Sequence, residues 1–249
     1  MPQTDVASWG KSDHRGDGLH APMQAIAGTA AVTIASRPAR NPGPRSLATT
    51  ERILASAEAL LRKHGEKFTL GDVAASGRVS MASIYSRYPS KIHLIQEVQL
   101  RVLRGLREQI AEGLRQVASE GGNLEWRATR IVEIYAESHM ARASIIRAFH
   151  AVAREDSSLR VRGVETVQAL VEAAASALLG PDISATAEAA MARLQMIAQT
   201  LLHALASYLG FGYSAGSDGE GNWLAFKDML ARMVYLSARE VLETSSHQD

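Results

Sequence analysis

The 249-residue chain is 46% hydrophobic and 21% charged, with few aromatic side chains. That is enough apolar material for a sizeable core and points to one or two Ala- and Leu-rich helical domains rather than a disordered chain. The absence of cysteine excludes disulfides, thiolate metal sites and a cysteine nucleophile, and fits a reducing compartment. The net charge is only +1, yet residues 1–110 carry 15 Lys and Arg against 9 Asp and Glu, whereas residues 111–249 carry 12 against 17. A basic first part joined to an acidic second part suits a nucleic-acid reader attached to something kept off the phosphates.

Residues 1–46 lack periodicity, are loaded with Gly, Pro, Ser and Asp, and read as a flexible tail. Within them Leu19 to Ala35 is mildly apolar. Pro22, Gln24 and Gly28 interrupt it and no strong basic region precedes it, so it does not read as a signal peptide. No run approaches the roughly eighteen apolar residues of a membrane helix, so a soluble, cytoplasmic protein with no membrane partner is expected. Arg37, Arg40 and Arg45 sit just ahead of the first helix, where a tail can reach a groove or a phosphate or simply form a solvated linker.

The first helix is expected from Thr49 or Thr50. Ile53, Leu54, Ala57, Leu60 and Leu61 form its apolar stripe, and Gly65 stops it. The stretch from Phe68 to Lys91 then carries two helix starts of one design. Thr69 has Asp72 three residues on, flanked by the apolar pair Phe68 and Val73, which is a capping box with a hydrophobic staple. Eleven residues later Ser80 can cap the next helix, with Ser83 at its third position and Val79 and Ile84 as the staple pair. Gly77 and Arg78 fill the turn. Two short helices, about Leu70 to Ser76 and Met81 to Arg87, joined by such a turn have the spacing of a helix-turn-helix, whose second helix enters the major groove.

Pro89 forbids simple continuation, and Ser90 restarts the chain as a long helix of about 27 residues, some 40 Å, ending at Gly121 and Gly122. Further helical segments follow at about 124–140, 142–153, 158–179, 184–209 and 222–243. Leu194, Ile197, Leu201, Leu205 and Tyr208, then Phe226, Met229, Leu230, Met233 and Leu236, form broad apolar stripes that either pack within the chain or build a four-helix interface with a second copy. A homodimer is expected, because it suits two-fold operator reading. No alternating strand pattern appears, so the fold class is all-α.

The stretch from Thr50 to Gln96 resembles the amino-terminal DNA-binding domain of the TetR family of bacterial transcriptional regulators. The resemblance rests on the first-helix stripe ending at Gly65, on Phe68-Thr69, Val73-Ala74, Val79-Ser80 and Ile84-Tyr85, and on Tyr88-Pro89-Ser90-Lys91. Gly77-Arg78-Val79-Ser80 stands where the family commonly has Ala-Gly-Val-Ser, which adds a cation near the DNA, and Ile92 replaces the usual acidic residue. The resemblance implies a three-helix DNA-binding domain at 47–95, a helical ligand-binding and dimerising domain at 96–244, and a short tail at 245–249. It also implies that Thr69, Tyr85 and Lys91 contact phosphates.

On the recognition helix, Ile84 and Tyr88 should face the core, leaving Met81, Ala82, Tyr85 and Ser86 toward the groove with Ser83 between the faces. Ser80 stands at its start. Small residues allow close approach, and Met81 or Ala82 can touch thymine methyls. The face carries no bidentate base reader; Arg78 and Arg87 flank it, so specificity rests partly on DNA shape. Arg45, Thr69, Arg78, Ser80, Met81, Ala82, Ser83, Tyr85, Ser86, Arg87 and Lys91 are therefore the DNA-binding candidates.

In the second domain Trp126, Tyr135, His139, Met140, Phe149 and His150 are the candidates for a ligand pocket, although core packing explains the same residues. The histidines do not have the i, i+4 spacing of a helical metal pair and no H-E-x-x-H is present, so no metal is expected. No cofactor is expected either. There is no G-x-S-x-G, Walker lysine loop or G-x-G-x-x-G, and no enzyme is expected. The sequence thus points to a repressor released from a palindromic double-stranded DNA operator by a small-molecule effector of unknown identity. The alternative is a helical small-molecule binding protein whose first domain binds no operator.

Overall fold

The computed structural model describes residues 43–180, 187–211 and 222–246. The expected contacts of Arg37 and Arg40, the glycine-rich stretch after Phe211 and the last residues of the C-terminal tail lie outside them. Among the described residues there are nine α-helices and no strand.

Helix α1, Pro44–His64, begins before the expected threonines. Pro44 occupies the opening position, where its missing N–H costs nothing. Thr49 and Thr50 are not caps: their hydroxyls donate back to the carbonyls of Arg45 and Ser46 at 2.9 and 3.1 Å, a bond made inside a helix. Gly65 ends α1 at φ +59° and opens a 3-10 turn, Gly65–Lys67.

The two short helices form as expected. Helix α2, Leu70–Gly77, starts in a complete capping box: Asp72 N–H donates to Thr69 Oγ1 at 3.1 Å, and Thr69 N–H donates to Asp72 Oδ2 at 2.7 Å. Those donated hydrogen bonds, backbone first and hydroxyl second, hold the Asp72 carboxyl below its usual range. Helix α3, Met81–Tyr85, starts at Ser80, whose Oγ accepts from Ser83 N–H at 3.1 Å. It ends two residues earlier than expected; Arg87 and Tyr88 still donate to Ile84 O at 3.0 and 2.8 Å as a closing turn before Pro89. Helix α4, Lys91–Glu120, is 30 residues long, about 45 Å, and stops at Gly121 in the left-handed region.

The rest is a helical body. It comprises α5, Leu124–Met140; α6, Ala143–Val152; α7, Ser157–Leu179; α8, Ala187–Tyr208; and α9, Trp223–Ser246. Asn123 caps α5 and Asp156 caps α7, each accepting one backbone N–H, at 2.9 and 2.8 Å.

Two cores result. One joins α1 to α3 with the first turns of α4, and α6 completes it with Ile145, Ala148 and Phe149. The other joins the remainder of α4 to α5, α7, α8 and α9. Packing therefore does not follow the linear division at residue 95, because α6 belongs to the head core. The expected stripes of α8 and α9 are spent largely inside the chain: Leu194, Leu201, Leu205 and Leu230 are buried, whereas Met229 and Leu236 are exposed, as is Met196.

Candidate nucleic-acid interface and ligand cavity

In the head, the exposed face of α3 is set by which residues the core consumes. Ile84 is fully buried and Tyr88 nearly so, and this turns Ser80, Met81, Ala82, Tyr85 and Ser86 outward. Tyr85 is 54% exposed, with its ring on the surface. Ser83 is half-buried, its hydroxyl 2.9 Å from that of Ser80, and Ser86 Oγ donates to Ser83 O at 3.0 Å.

The turn before α3 is shaped by a trade between neighbours. A Cβ at Gly77 would stand 3.0 Å from Ser56 Oγ and 3.3 Å from Arg52 O, so a glycine here lets α2 press against α1. Arg78 then takes the left-handed conformation, φ +50° and ψ +48°, that ends α2. Among the described non-glycine residues it alone has positive φ. Its side chain is exposed, and the exposed Arg52, a further cation of this surface, reaches its backbone with Nη1 3.5 Å from Arg78 O.

The expected cations divide into two sets. Arg45 and Arg78 are exposed and enter no ion pair among the described residues. Arg87 instead is a half-buried strut: it donates to Thr50 Oγ1 at 3.1 Å, Ser46 Oγ at 3.0 Å and Ser83 O at 2.9 Å, tying α3 to α1. Lys91, at the first position of α4, donates from Nζ to Glu66 O and lies 4.7 Å from the centre of the Phe68 ring. Thr69 is exposed and fully engaged in its capping box. Glu51 and Glu58, the acids of α1, are bound by Arg101 at 2.6 and 3.4 Å, which removes their free negative charge from the head.

In the body, a cavity of about 630 Å³ opens among α4, α6, α7 and α8. Of the six candidates, His139, Phe149 and His150 line it. Trp126, Tyr135 and Met140 do not. Trp126 lies over Gly122 at the start of α5, and Met140 is exposed at the end of that helix. Tyr135 is fully buried behind the wall, its hydroxyl donating to Leu170 O at 2.6 Å, and burial raises its pKa. Size alone does not say which side of a helix a residue occupies.

The polar part of the wall was missed. Gln99, Arg160, Thr166, Gln199 and His203 all line the cavity. Three bonds clamp α4 to the start of α7 beside it: Gln96 Nε2 to Asp156 Oδ2 at 3.0 Å, Gln99 Nε2 to Leu159 O at 2.9 Å, and Arg162 Nη1 to Gln96 O at 2.9 Å. His150 stacks on Phe211 with ring centres 6.0 Å apart. Among the described residues no group of acidic or histidine side chains is arranged for a metal ion, and no helix is long and apolar enough to cross a membrane.

The described residues thus form a capped helix-turn-helix braced by a third helix and carried on a long helix that runs into a helical body with a cavity. No family profile matches the chain. Over 122 residues it is 38% identical to proteins named as HTH-type transcriptional regulators in Mycobacterium tuberculosis and Mycobacterium bovis. The match covers 48% of this chain and 54% of the relative, so the chain spans about half the length of the curated relatives it matches.

Among solved structures it is similar to a TetR-family transcriptional regulator from Streptomyces coelicolor, with a TM-score of 0.55 and 15% identity over 80% of this chain and 85% of that one. It is similar also to the TetR-family regulator PfmR from Thermus thermophilus, with a TM-score of 0.52 and 16% identity over 76% of this chain and 97% of that one. The fold is that of the TetR-family regulators.

Proposed function

We propose that the chain is a sequence-specific, DNA-binding transcriptional regulator: a cytoplasmic homodimer that represses from a palindromic operator and is released by a small-molecule effector. It is read as a binding protein and not an enzyme. The observation that carries this reading is the exposed Met81-Ala82-Tyr85-Ser86 face on a doubly capped two-helix unit, held at one end of the helix whose flank forms the cavity wall. The exposed Met196, Met229 and Leu236 support a second copy against α8 and α9.

In this mechanism two recognition helices about 34–36 Å apart read one face of the operator. An effector acts only by preferring the conformation that fits DNA poorly, with couplings of roughly 1–3 kcal/mol being typical. Helix α4 carries that preference from the cavity to the head.

Selection of bound DNA with the purified chain tests the reading, followed by binding to the selected palindrome and to scrambled DNA across a salt series. A preference for the palindrome that collapses on scrambling is expected; equal binding to both favours a non-specific scaffold. Lys91→Ala should weaken binding to every sequence and lower the salt slope by about one unit. An unchanged slope with a lower melting temperature would instead make Lys91 a strut between the 3-10 turn and α4.

A further inference from the structure

The chemistry of the cavity wall narrows what can fill it. Gln99 is 3% exposed and its Nε2 donates to Leu159 O. A carbonyl oxygen only accepts, so that bond fixes the orientation of the amide and leaves Oε1 as its other end. Oε1 is buried and has no hydrogen-bond partner among the described residues. A buried amide oxygen that no protein donor reaches is uncommon, and in a residue of a cavity wall it points to a bond that an occupant completes. Gln99 lines the cavity while its Oε1 is closed to a water-sized probe, so an occupant's donor meets it with a small turn of the amide or its neighbours.

His139 adds a second acceptor to the wall. It is 8% exposed, and its Nδ1 lies 2.7 Å from Tyr135 O in its own helix. The carbonyl requires Nδ1 to carry the proton, which leaves Nε2 with a lone pair. Burial pushes the imidazole pKa down and keeps the ring neutral. Thr166 Oγ1 spends its proton on Arg162 O at 2.8 Å and Gln199 faces His203 at 2.8 Å, so these polar side chains have partners within the chain.

Charge selects as well. No Asp or Glu is among the described lining residues, so a cation would enter without a counter-charge. The lining guanidinium, Arg160, is exposed with its Nη1 turned to Ala153 O at 3.2 Å. A carboxylate placed against Gln99 Oε1 would set lone pair against lone pair. The remaining wall, with Leu103, Leu106, Ile146, Phe149, Val171 and Leu202, is apolar.

On the reading that an effector binds here, we propose that it is an uncharged, largely apolar molecule that carries a hydrogen-bond donor, a hydroxyl or an amide N–H, and seats that donor on Gln99 Oε1.

Three probes with one two-ring body test this in the full chain by calorimetry near neutral pH: 4-phenylphenol, which donates; 4-methoxybiphenyl, which only accepts; and biphenyl-4-carboxylate. The phenol should bind about tenfold more tightly than either of the others, because a site built to pair with a donor rejects the analogue lacking it. Gln99→Met should close the gap to about twofold, and His139→Phe should narrow it less. Where Gln99→Met fails to fold because the tie to Leu159 is lost, the ranking of the probes in the unaltered chain still decides.

Equal or tighter binding of the ether or the carboxylate, a gap that survives in Gln99→Met, or no binding of any probe up to its solubility overturns the proposal. Retention of the selected operator, followed in the same samples, separates the two readings. Phenol binding without release of DNA upholds the ligand chemistry and sinks the effector role; loss of the ligand preference leaves operator binding in place.

Discussion

The head and the body bury apolar surface to different degrees of closure. In the head, Ile53, Ala57, Leu61, Val73 and Ile84 are sealed from solvent, and the polar groups around them are matched by caps and by the Arg87 strut. The body has the larger core but leaves about 630 Å³ open along α4, with one amide oxygen of a lining residue unpaired among the described residues. Phe149 and Leu159 belong to both regions, packing in the head cluster and lining the cavity. The closed region is thus partly walled by the open one, and whatever fills the cavity presses on residues that the head needs for its own core.

The most severe way to break that comparison is at the shared wall. Phe149→Ala should cost about 3–5 kcal/mol, the usual penalty for removing a buried aromatic ring. If head and body share this wall, denaturant unfolding of the variant remains one transition shifted to lower concentration. Two separated transitions, with only one of them shifted, would mean that the regions are independent and that no coupling runs through α6.

A smaller change should act on the head alone and with the opposite sign. Arg78 sits at a left-handed position that costs an ordinary residue about 1–2 kcal/mol and a glycine almost nothing, part of which glycine's looser unfolded chain takes back. Arg78→Gly should therefore raise stability by roughly 1 kcal/mol and, by removing an exposed cation, weaken binding to all DNA sequences alike. Denaturation and a salt series read the two effects separately. A variant no more stable than the parent would show that the turn holds no strain to release.

What could be read from sequence follows the reach of each interaction. The cap of α2 was legible because Thr69 and Asp72 satisfy one another three residues apart, and the buried side of α3 was legible because Ile84 and Tyr88 keep helical spacing. The start of α1 differs from the expected threonines because a threonine hydroxyl bonds as readily to a carbonyl one turn back as to a free N–H. The Pro44 signal, a proline at the first helical position, marked the true start.

The roles of Arg87 and Lys91 were not legible, since their partners Ser46 and Glu66 lie 41 and 25 residues away. Gln99 was invisible for the same reason: an orphaned oxygen exists only once Leu159, 60 residues on, has claimed the amide nitrogen. Trp126, Tyr135 and Met140 are large enough to line a pocket, but size does not fix facing.

The gentlest perturbation is pH, and it should act from the body side of the shared wall. The head carries His64 and His93 on its surface, whereas His139 is buried in the body with its pKa held below the ordinary 6.5 by desolvation. A histidine whose folded pKa is depressed binds more protons unfolded than folded as pH falls through the unfolded value. Its stabilising effect is therefore complete above about pH 6.5 and is lost progressively below it, toward the folded pKa.

His139→Gln removes that term, so the stability of the parent relative to the variant should be greatest at about pH 7.5 and shrink by about pH 5.5. Denaturant curves of both proteins at the two pH values measure it. A difference that stays constant would mean that His139 is not held neutral. Acid would then give no means of loosening the body while leaving the caps of the head intact.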